Sequence, residues 1–126
     1  MRTYPHVEVA KTKEKLEGQL RNILNCFLKR NAKIGYFQGL NFLACHLLNV
    51  MKHEEYAFWT LCQIVECYLP LDYFSNFFGV LIDQKVLDEC ILIRFPQLAN
   101  HFEQIEFRSE LLSMPWFVQL MVNKMP

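Results

Sequence analysis

Two short polar stretches hold the residues of this chain whose types and spacing could do chemistry. Residues 2–5 read Arg-Thr-Tyr-Pro, and residues 35–41 read Gly-Tyr-Phe-Gln-Gly-Leu-Asn. Glycines on both sides of Gln38 relax the backbone around it. A side-chain amide at the mouth of an apolar segment needs a hydrogen-bond partner or a functional role. Taken alone, an arginine at position 2 is most often a solvated terminal residue, and a glutamine before glycine most often bonds to backbone at a helix start.

Other catalytic and metal-binding patterns do not stand out in the sequence. No Ser-His-Asp set and no phosphate-cradling glycine loop is visible. The four histidines lack the spacing of metal ligands, and Cys62 and Cys67 are separated in a way that does not fit a zinc knuckle. The odd number and apolar neighbours of the five cysteines indicate reduced, buried thiols in a cytosolic protein. These cysteines are Cys26, Cys45, Cys62, Cys67 and Cys90.

The composition is that of a globular domain or part of one. The 126 residues are 52% apolar and 21% charged, with eleven Phe, five Tyr and two Trp. The net charge is zero, but residues 1–36 carry eight Lys/Arg and three Asp/Glu, against five and ten in residues 37–126. A neutral chain is a poor nucleic-acid binder, and the basic first third is either a solvated face or a surface for an acidic partner. Arg2, His6 and Glu8 interrupt the N-terminus, so we expect no signal peptide. The longest apolar run is short and interrupted by charge, so we expect no membrane span.

Apolar residues recur at three- and four-residue intervals along most of the chain, which predicts an all-α fold. Only four glycines and five prolines interrupt the pattern, and no stretch alternates convincingly as a strand would. The predicted helices cover residues 12–30, 37–51, 54–69, 80–94, a short segment around 98–105, and residues 109–125. Thr12 is the expected N-cap of the first helix, and Pro115 is allowed only at a first turn or a kink.

The same pattern predicts which side chains are buried. Residues 37–51 are apolar around nearly the whole circumference, which indicates a central, buried helix. Trp59 is expected to face inward in the helix that follows. The aromatic group formed by Tyr73, Phe74, Phe77 and Phe78 is expected in the core rather than on a binding surface. Tyr36 is equally consistent with core packing and with a role beside Gln38.

The two polar stretches, and the segments between and after them, resemble the TBC family of Rab GTPase activators. One family motif is Ile-x-x-Asp-x-x-Arg followed by Thr, an aromatic residue and Pro, and residues 2–5 match it from the arginine onward. The other is Tyr-x-Gln-Gly followed by an apolar residue and Asn, and residues 36–41 match it. Further similar segments lie between the two motifs, at residues 20–24, and after them, at residues 57–59, 65–66, 116–117 and 125–126. The ordered set covers essentially the whole chain and is more specific than Tyr-x-Gln-Gly alone.

The resemblance implies an all-α, orthogonal multi-helix TBC-type domain of about six to seven helices that activates GTP hydrolysis in trans. In this family an arginine finger stabilises transition-state charge and a glutamine finger orients the attacking water. By that resemblance Arg2 and Gln38 are catalytic, while Tyr36, Gly39 and Asn41 position the glutamine. The implied partner is a Rab-family small GTPase in its GTP form. That partner itself binds GTP and Mg²⁺, so no cofactor, metal or reaction of the chain's own is expected. The implied location is cytoplasmic, in vesicle traffic, with membranes contacted only through the GTPase.

Compared with the family pattern, residues 1–126 are expected to be a partial TBC domain that is incomplete at both ends. Met1 directly precedes Arg2, so the Ile and Asp of the first motif are missing, as are flanking helices. An arginine without that support loses pre-organisation, and a displacement of about 1 Å can cost roughly a hundredfold in rate. The alternative is therefore a non-catalytic TBC-like helical module that binds a GTPase or adaptor as a scaffold. A HEAT or TPR repeat is disfavoured because no matching period is visible.

Overall fold

A computed structural model describes residues 10–70 and 72–122 of the chain. These residues form six α-helices, a π-helix and a short 3-10 helix, and they contain no β-strand, which confirms the all-α prediction. The α-helices are α1 (Ala10–Arg30), α2 (Leu40–Met51), α3 (Glu54–Gln63), α4 (Phe78–Arg94), α5 (Pro96–Gln104) and α6 (Glu110–Val118). The π-helix spans Ile64–Tyr68 and the 3-10 helix spans Ser75–Phe77. None of the described helices is both long and apolar enough to cross a bilayer.

The chain divides into two compact units, and the first extends to residue 71. In this unit α1, α2 and α3 pack against one another, because each carries a face of apolar side chains. The buried face of α1 follows the predicted three- and four-residue spacing, with Phe27 fully buried at 0% exposure. The core comprises Leu20, Ile23, Leu24, Phe27, Phe37, Leu40, Leu43, Ala44, Cys45, Leu47, Leu48, Ala57, Leu61, Cys62 and Val65.

The second unit begins at residue 72, and in it α4 packs against α5 and α6. Among its described residues the buried apolar side chains are fewer, namely Tyr73, Phe74, Val80 and Val118. Two polar side chains, Gln84 and Ser113, are buried with it. The Gln84 amide donates a 3.4 Å hydrogen bond to the backbone oxygen of Glu110, which compensates part of its desolvation.

Several predicted helix boundaries are wrong, and among them α3 ends at Gln63 and not at residue 69. The first helix already includes Ala10, so Thr12 lies inside it and is not its N-cap. The second begins at Leu40 and not at residue 37, because Gly39 has a φ of 136° that no α-helix contains. The last ends at Val118 and not at residue 125. Residues 120 and 121 have φ values of 48° and 62°, which stop the right-handed helix.

Pro96 and Pro115 both lie in helices, but only Pro96 occupies a position that a helix readily accepts. Pro96 occupies the first turn of α5, where its missing N–H costs nothing, so the predicted break after Phe95 is confirmed. Pro115 lies inside α6, where it removes a backbone donor. Of the two positions predicted for this proline, a first turn or a kink, the first turn is therefore excluded.

Several predicted core positions are exposed. In α2 six residues are buried, but Val50 is 60% exposed near the end of the helix. Trp59 is 50% exposed, so it does not face inward as predicted. Tyr73 and Phe74 are buried as expected, whereas Phe78 is 60% exposed. Of the five free thiols only Cys45 and Cys62 are buried, so the prediction of buried thiols fails for Cys26, Cys67 and Cys90.

Candidate functional site

The loop between α1 and α2 carries the second polar stretch. Its first turn is closed by Asn31, whose backbone oxygen accepts hydrogen bonds from the N–H groups of Ile34 at 3.0 Å and Gly35 at 3.3 Å. Asn31 itself donates its N–H to the Phe27 oxygen at 2.8 Å, which continues the hydrogen bonding of α1 into the loop. The chain is thus held in a defined turn before it reaches Gln38.

Two glycines set the backbone on either side of Gln38. Gly35 has a φ of 68° and Gly39 a φ of 136°, conformations that residues with a Cβ rarely adopt. A Cβ at residue 35 would meet no atom within 4 Å, so the requirement there is conformational and not steric. The glycines predicted to relax the backbone therefore do so through positive φ.

Burial alternates through residues 36–38. Phe37 is 5% exposed and anchors the loop in the core of the first unit, whereas Tyr36 is 58% exposed. Gln38 is also exposed, and its side-chain amide has no hydrogen-bond partner among the described residues. The core-packing alternative for Tyr36 is therefore wrong, and the bond from Gln38 to backbone at a helix start is not found.

Asn41 connects the loop to the first turn of α2. Its Oδ1 accepts a hydrogen bond from the backbone N–H of Gly39 at 3.3 Å. The Gly39 oxygen in turn accepts from the N–H groups of Phe42 at 3.0 Å and Leu43 at 3.2 Å, which starts the helix. Gln38 therefore stands directly before a well-formed helix N-terminus, where the backbone dipoles favour nearby negative charge.

A second polar cluster, which the sequence did not reveal, lies at the opposite end of the same loop. The Glu66 carboxylate accepts from Arg30 Nε at 2.7 Å and from Arg30 Nη2 at 2.9 Å. Its Oε1 also accepts from the Asn31 side chain at 2.9 Å. The Arg30 guanidinium lies 5.5 Å from the centre of the Trp59 ring, which gives this half-exposed tryptophan a cation partner.

The charges of this cluster change the pKa values of its members. Hydrogen bonds from Arg30 and then from Asn31 lower the pKa of Glu66 to about 2. The same contacts with Glu66 raise the pKa of Arg30. Burial, and secondarily the Glu66 carboxylate, raises the pKa of the Cys62 thiol to about 11. The cluster is therefore a charged Glu–Arg pair beside a neutral thiol at neutral pH.

Gln38 lies outside a pocket of the first unit. A pocket of about 300 Å³ in the first unit is lined by Asn22, Ile23, Cys26, His53, Glu54, Glu55 and Phe58, and so does not include Gln38. No group of three or more possible metal ligands occurs among the residues that the structure describes. Gln38 is thus displayed on a surface loop and not inside this pocket, an arrangement that suits action on a partner.

Arg2 lies outside the described residues, so the structure does not place it relative to Gln38. Its assignment as a finger stays an expectation from the resemblance. Gln38, Gly39 and Asn41 are brought together in one loop, with Tyr36 exposed beside them.

Comparison with known proteins decides the family. The model of the Rab-GTPase-TBC domain matches residues 1–126. The chain belongs to the TBC family. A relative in Xenopus tropicalis, TBC1 domain family member 2B, is 36% identical over 126 residues, which are 98% of this chain and 13% of the relative. The human protein of the same name is 39% identical over 106 residues, which are 83% of this chain and 11% of the relative.

A third relative carries a functional description in its name. It is a protein of Emericella nidulans named as a candidate GTPase-activating protein, 34% identical over 109 residues, 86% of this chain and 10% of the relative. This TBC chain spans only 10% to 13% of the length of these three relatives. No solved structure matches it significantly.

Proposed function

We propose that this chain accelerates GTP hydrolysis by a Rab-family small GTPase in its GTP form, with Gln38 and Arg2 as fingers supplied in trans. Two findings support the proposal at the level of family. The matching family model is that of a Rab-GTPase-TBC domain, and one relative is named for GTPase activation. The partner supplies the nucleotide and Mg²⁺, and it provides any contact with endomembranes.

The observation that carries the proposal is the exposed amide of Gln38, which has no partner within the described part of the chain. Among the described residues nothing bonds to it, although the loop around it is fixed by a buried Phe37 and two positive-φ glycines. An amide oxygen can accept from the attacking water while the amide nitrogen donates to phosphate. A loop anchored by buried and hydrogen-bonded residues, with the amide exposed at its outer edge, is the arrangement such a role needs, because reorganisation would otherwise slow the reaction.

Arg2 has a separate role in the proposal. Its guanidinium would approach the γ-phosphate and stabilise charge that develops in the transition state, a contribution of about 10³–10⁵ in rate. Lysine would serve less well, because only the planar guanidinium offers several fixed donors to phosphate oxygens. Tyr36, exposed beside Gln38, is placed in the proposal against the surface of the GTPase.

The test is single-turnover GTP hydrolysis by a panel of GTP-loaded Rab proteins with increasing concentrations of the full chain. We expect at least one Rab to be accelerated, and Gln38→Ala to lower the maximal rate on the order of 10²-fold, the usual loss when one preorganised transition-state contact is removed. Arg2→Ala is expected to lower it further. Gln63→Ala is the matched control, because Gln63 is an exposed glutamine at the end of α3.

Two results would contradict the proposal. Acceleration of no Rab by the unsubstituted chain would remove its basis. Equal rates for Gln38→Ala and Gln63→Ala would remove Gln38 from the mechanism. Binding of GTP-loaded Rab without acceleration would instead identify the non-catalytic helical module.

A further inference from the structure

The contacts of Glu66 begin with its position in the chain. It is the middle residue of the π-helix Ile64–Tyr68, whose wide turn is closed by a 3.0 Å hydrogen bond from the Leu69 N–H to the Ile64 oxygen. Single π turns are uncommon and recur at functional sites. From this turn the Glu66 carboxylate reaches the end of α1, more than thirty residues earlier in sequence.

An isolated surface ion pair contributes little to structure, but this cluster is not one. Both carboxylate oxygens are used, and the two bonds from Arg30 form the paired geometry that gives directionality. The third bond comes from Asn31, a residue of the loop itself. The Glu66 side chain is 25% exposed and that of Arg30 48%, so the carboxylate is better shielded from solvent than the guanidinium.

The cluster acts on the loop through Asn31. The side chain of this residue is held by Glu66, and its backbone oxygen closes the turn that ends at Gly35, three residues before Gln38. Beyond Gly35, Phe37 is buried, so two attachments hold the stretch of chain that leads to Gln38. Without the Glu66 contact the first of these two attachments would depend on backbone bonds alone.

We propose that Glu66 is a positioning residue for Gln38, which it holds in a productive orientation by clamping Asn31 and Arg30 at the base of the loop. This inference rests on the proposed function, because it concerns the same reacting amide. Glu66 does not touch the GTPase in this proposal. Its effect is on rate and not on affinity, since an amide displaced by about 1 Å can lose roughly a hundredfold in rate while the binding surface is unchanged.

The experiment measures the maximal rate and the half-saturating concentration of the full chain with a responsive Rab. The variants are Glu66→Ala, Asn31→Ala and each of these combined with Gln38→Ala. We expect Glu66→Ala and Asn31→Ala to lower the maximal rate about 10- to 100-fold, with the half-saturating concentration changed less than about threefold. Combined with Gln38→Ala, neither should lower the rate further, because the positioned group is already gone.

Two further variants separate positioning from a general loss of structure. Glu66→Gln keeps one acceptor oxygen for Asn31 and is expected to fall between the wild type and Glu66→Ala. Glu110→Ala is the matched control, because Glu110 makes a 3.3 Å ion pair with Arg108 in the other unit and should leave the rate unchanged.

The outcomes distinguish a failure of the positioning role of Glu66 from a failure of the proposed GTPase activation. A full rate for Glu66→Ala would overturn the positioning role alone. So would a loss that persists undiminished in the Gln38→Ala background, or one confined to the half-saturating concentration. A wild-type chain that accelerates no Rab would instead overturn the proposed function, and the positioning role with it.

Discussion

The Oδ1 of Asn41 accepts a 3.3 Å hydrogen bond from the backbone N–H of Gly39, the residue that follows Gln38. Gly39 is buried, so Asn41→Ala would leave this donor without a partner, at a cost of about 1–3 kcal/mol. We expect the variant to have a lower melting temperature and to accelerate Rab GTP hydrolysis less than the wild type does. Asn41→Asp keeps an acceptor oxygen and should restore most of the stability, whereas equal melting temperatures for the two variants would show that this bond contributes nothing.

Neighbouring residues in the loop should separate stability from function. Phe37 is 5% exposed, so Phe37→Ala should lower the free energy of unfolding by about 3–5 kcal/mol. Gln38→Ala removes an exposed amide with no partner among the described residues and should leave thermal stability nearly unchanged. Thermal unfolding of the two variants side by side measures the difference. A large loss of stability for Gln38→Ala would mean that this side chain packs and does not serve catalysis.

The helical fold could be predicted because its causes are local. The apolar spacing in α1 and the Phe95–Pro96 break act within one or two turns, and the sequence displays them directly. The start of α2 could not be placed, because the deciding factor was the φ of Gly39 and not its neighbours' polarity. The π-helix was not foreseen either, since apolar periodicity does not distinguish a bond to the fourth residue from one to the fifth.

The candidate site was predictable only in part, for a related reason. Gln38 was identified from a short motif, and the structure places it exposed, as a reacting amide requires. The hydrogen bonds between Glu66 and Arg30 join residues that are far apart in the chain. The residues that flank each of them in sequence do not indicate that the two side chains meet. The same pair explains the error at Trp59, whose ring lies half in solvent next to the Arg30 guanidinium.

Truncation of a buried tryptophan to alanine costs about 3–5 kcal/mol, and Trp59→Ala is expected to destabilise the first unit by less than that. Half of the side chain is already exposed, and its contact with Arg30 is of the kind worth about 0.5–1 kcal/mol at exposed sites. Chemical denaturation measures the change. Ala57→Gly, at a fully buried position of the same helix, provides a comparison. A loss of more than about 3 kcal/mol for Trp59→Ala would contradict its half-exposed placement.

The pKa of Glu66 gives a pH dependence with a defined sign. Its pKa is lowered from an ordinary value of 4.5 to about 2, so between these values the unfolded chain binds more protons than the folded one. The contribution of Glu66 to stability is therefore fully present above about pH 4.5 and is lost as pH falls towards 2. Melting temperatures of wild type and Glu66→Gln should converge across this window. A constant difference between them from pH 6 to pH 2.5 would contradict the lowered pKa.

Two helical glycines should respond in opposite directions to the same substitution. Gly18 lies in α1, and a Cβ there would meet no atom within 4 Å, so Gly18→Ala should stabilise the chain by about 0.5–1 kcal/mol. Gly79 lies in α4, where a Cβ would come within 2.7 Å of the Tyr73 ring and 2.8 Å of its Cα. That backbone cannot move aside freely, so Gly79→Ala should destabilise the second unit by about 1–3 kcal/mol. Denaturant unfolding measures both, and stabilisation by Gly79→Ala would show that the Tyr73 segment does not pack on α4 as described.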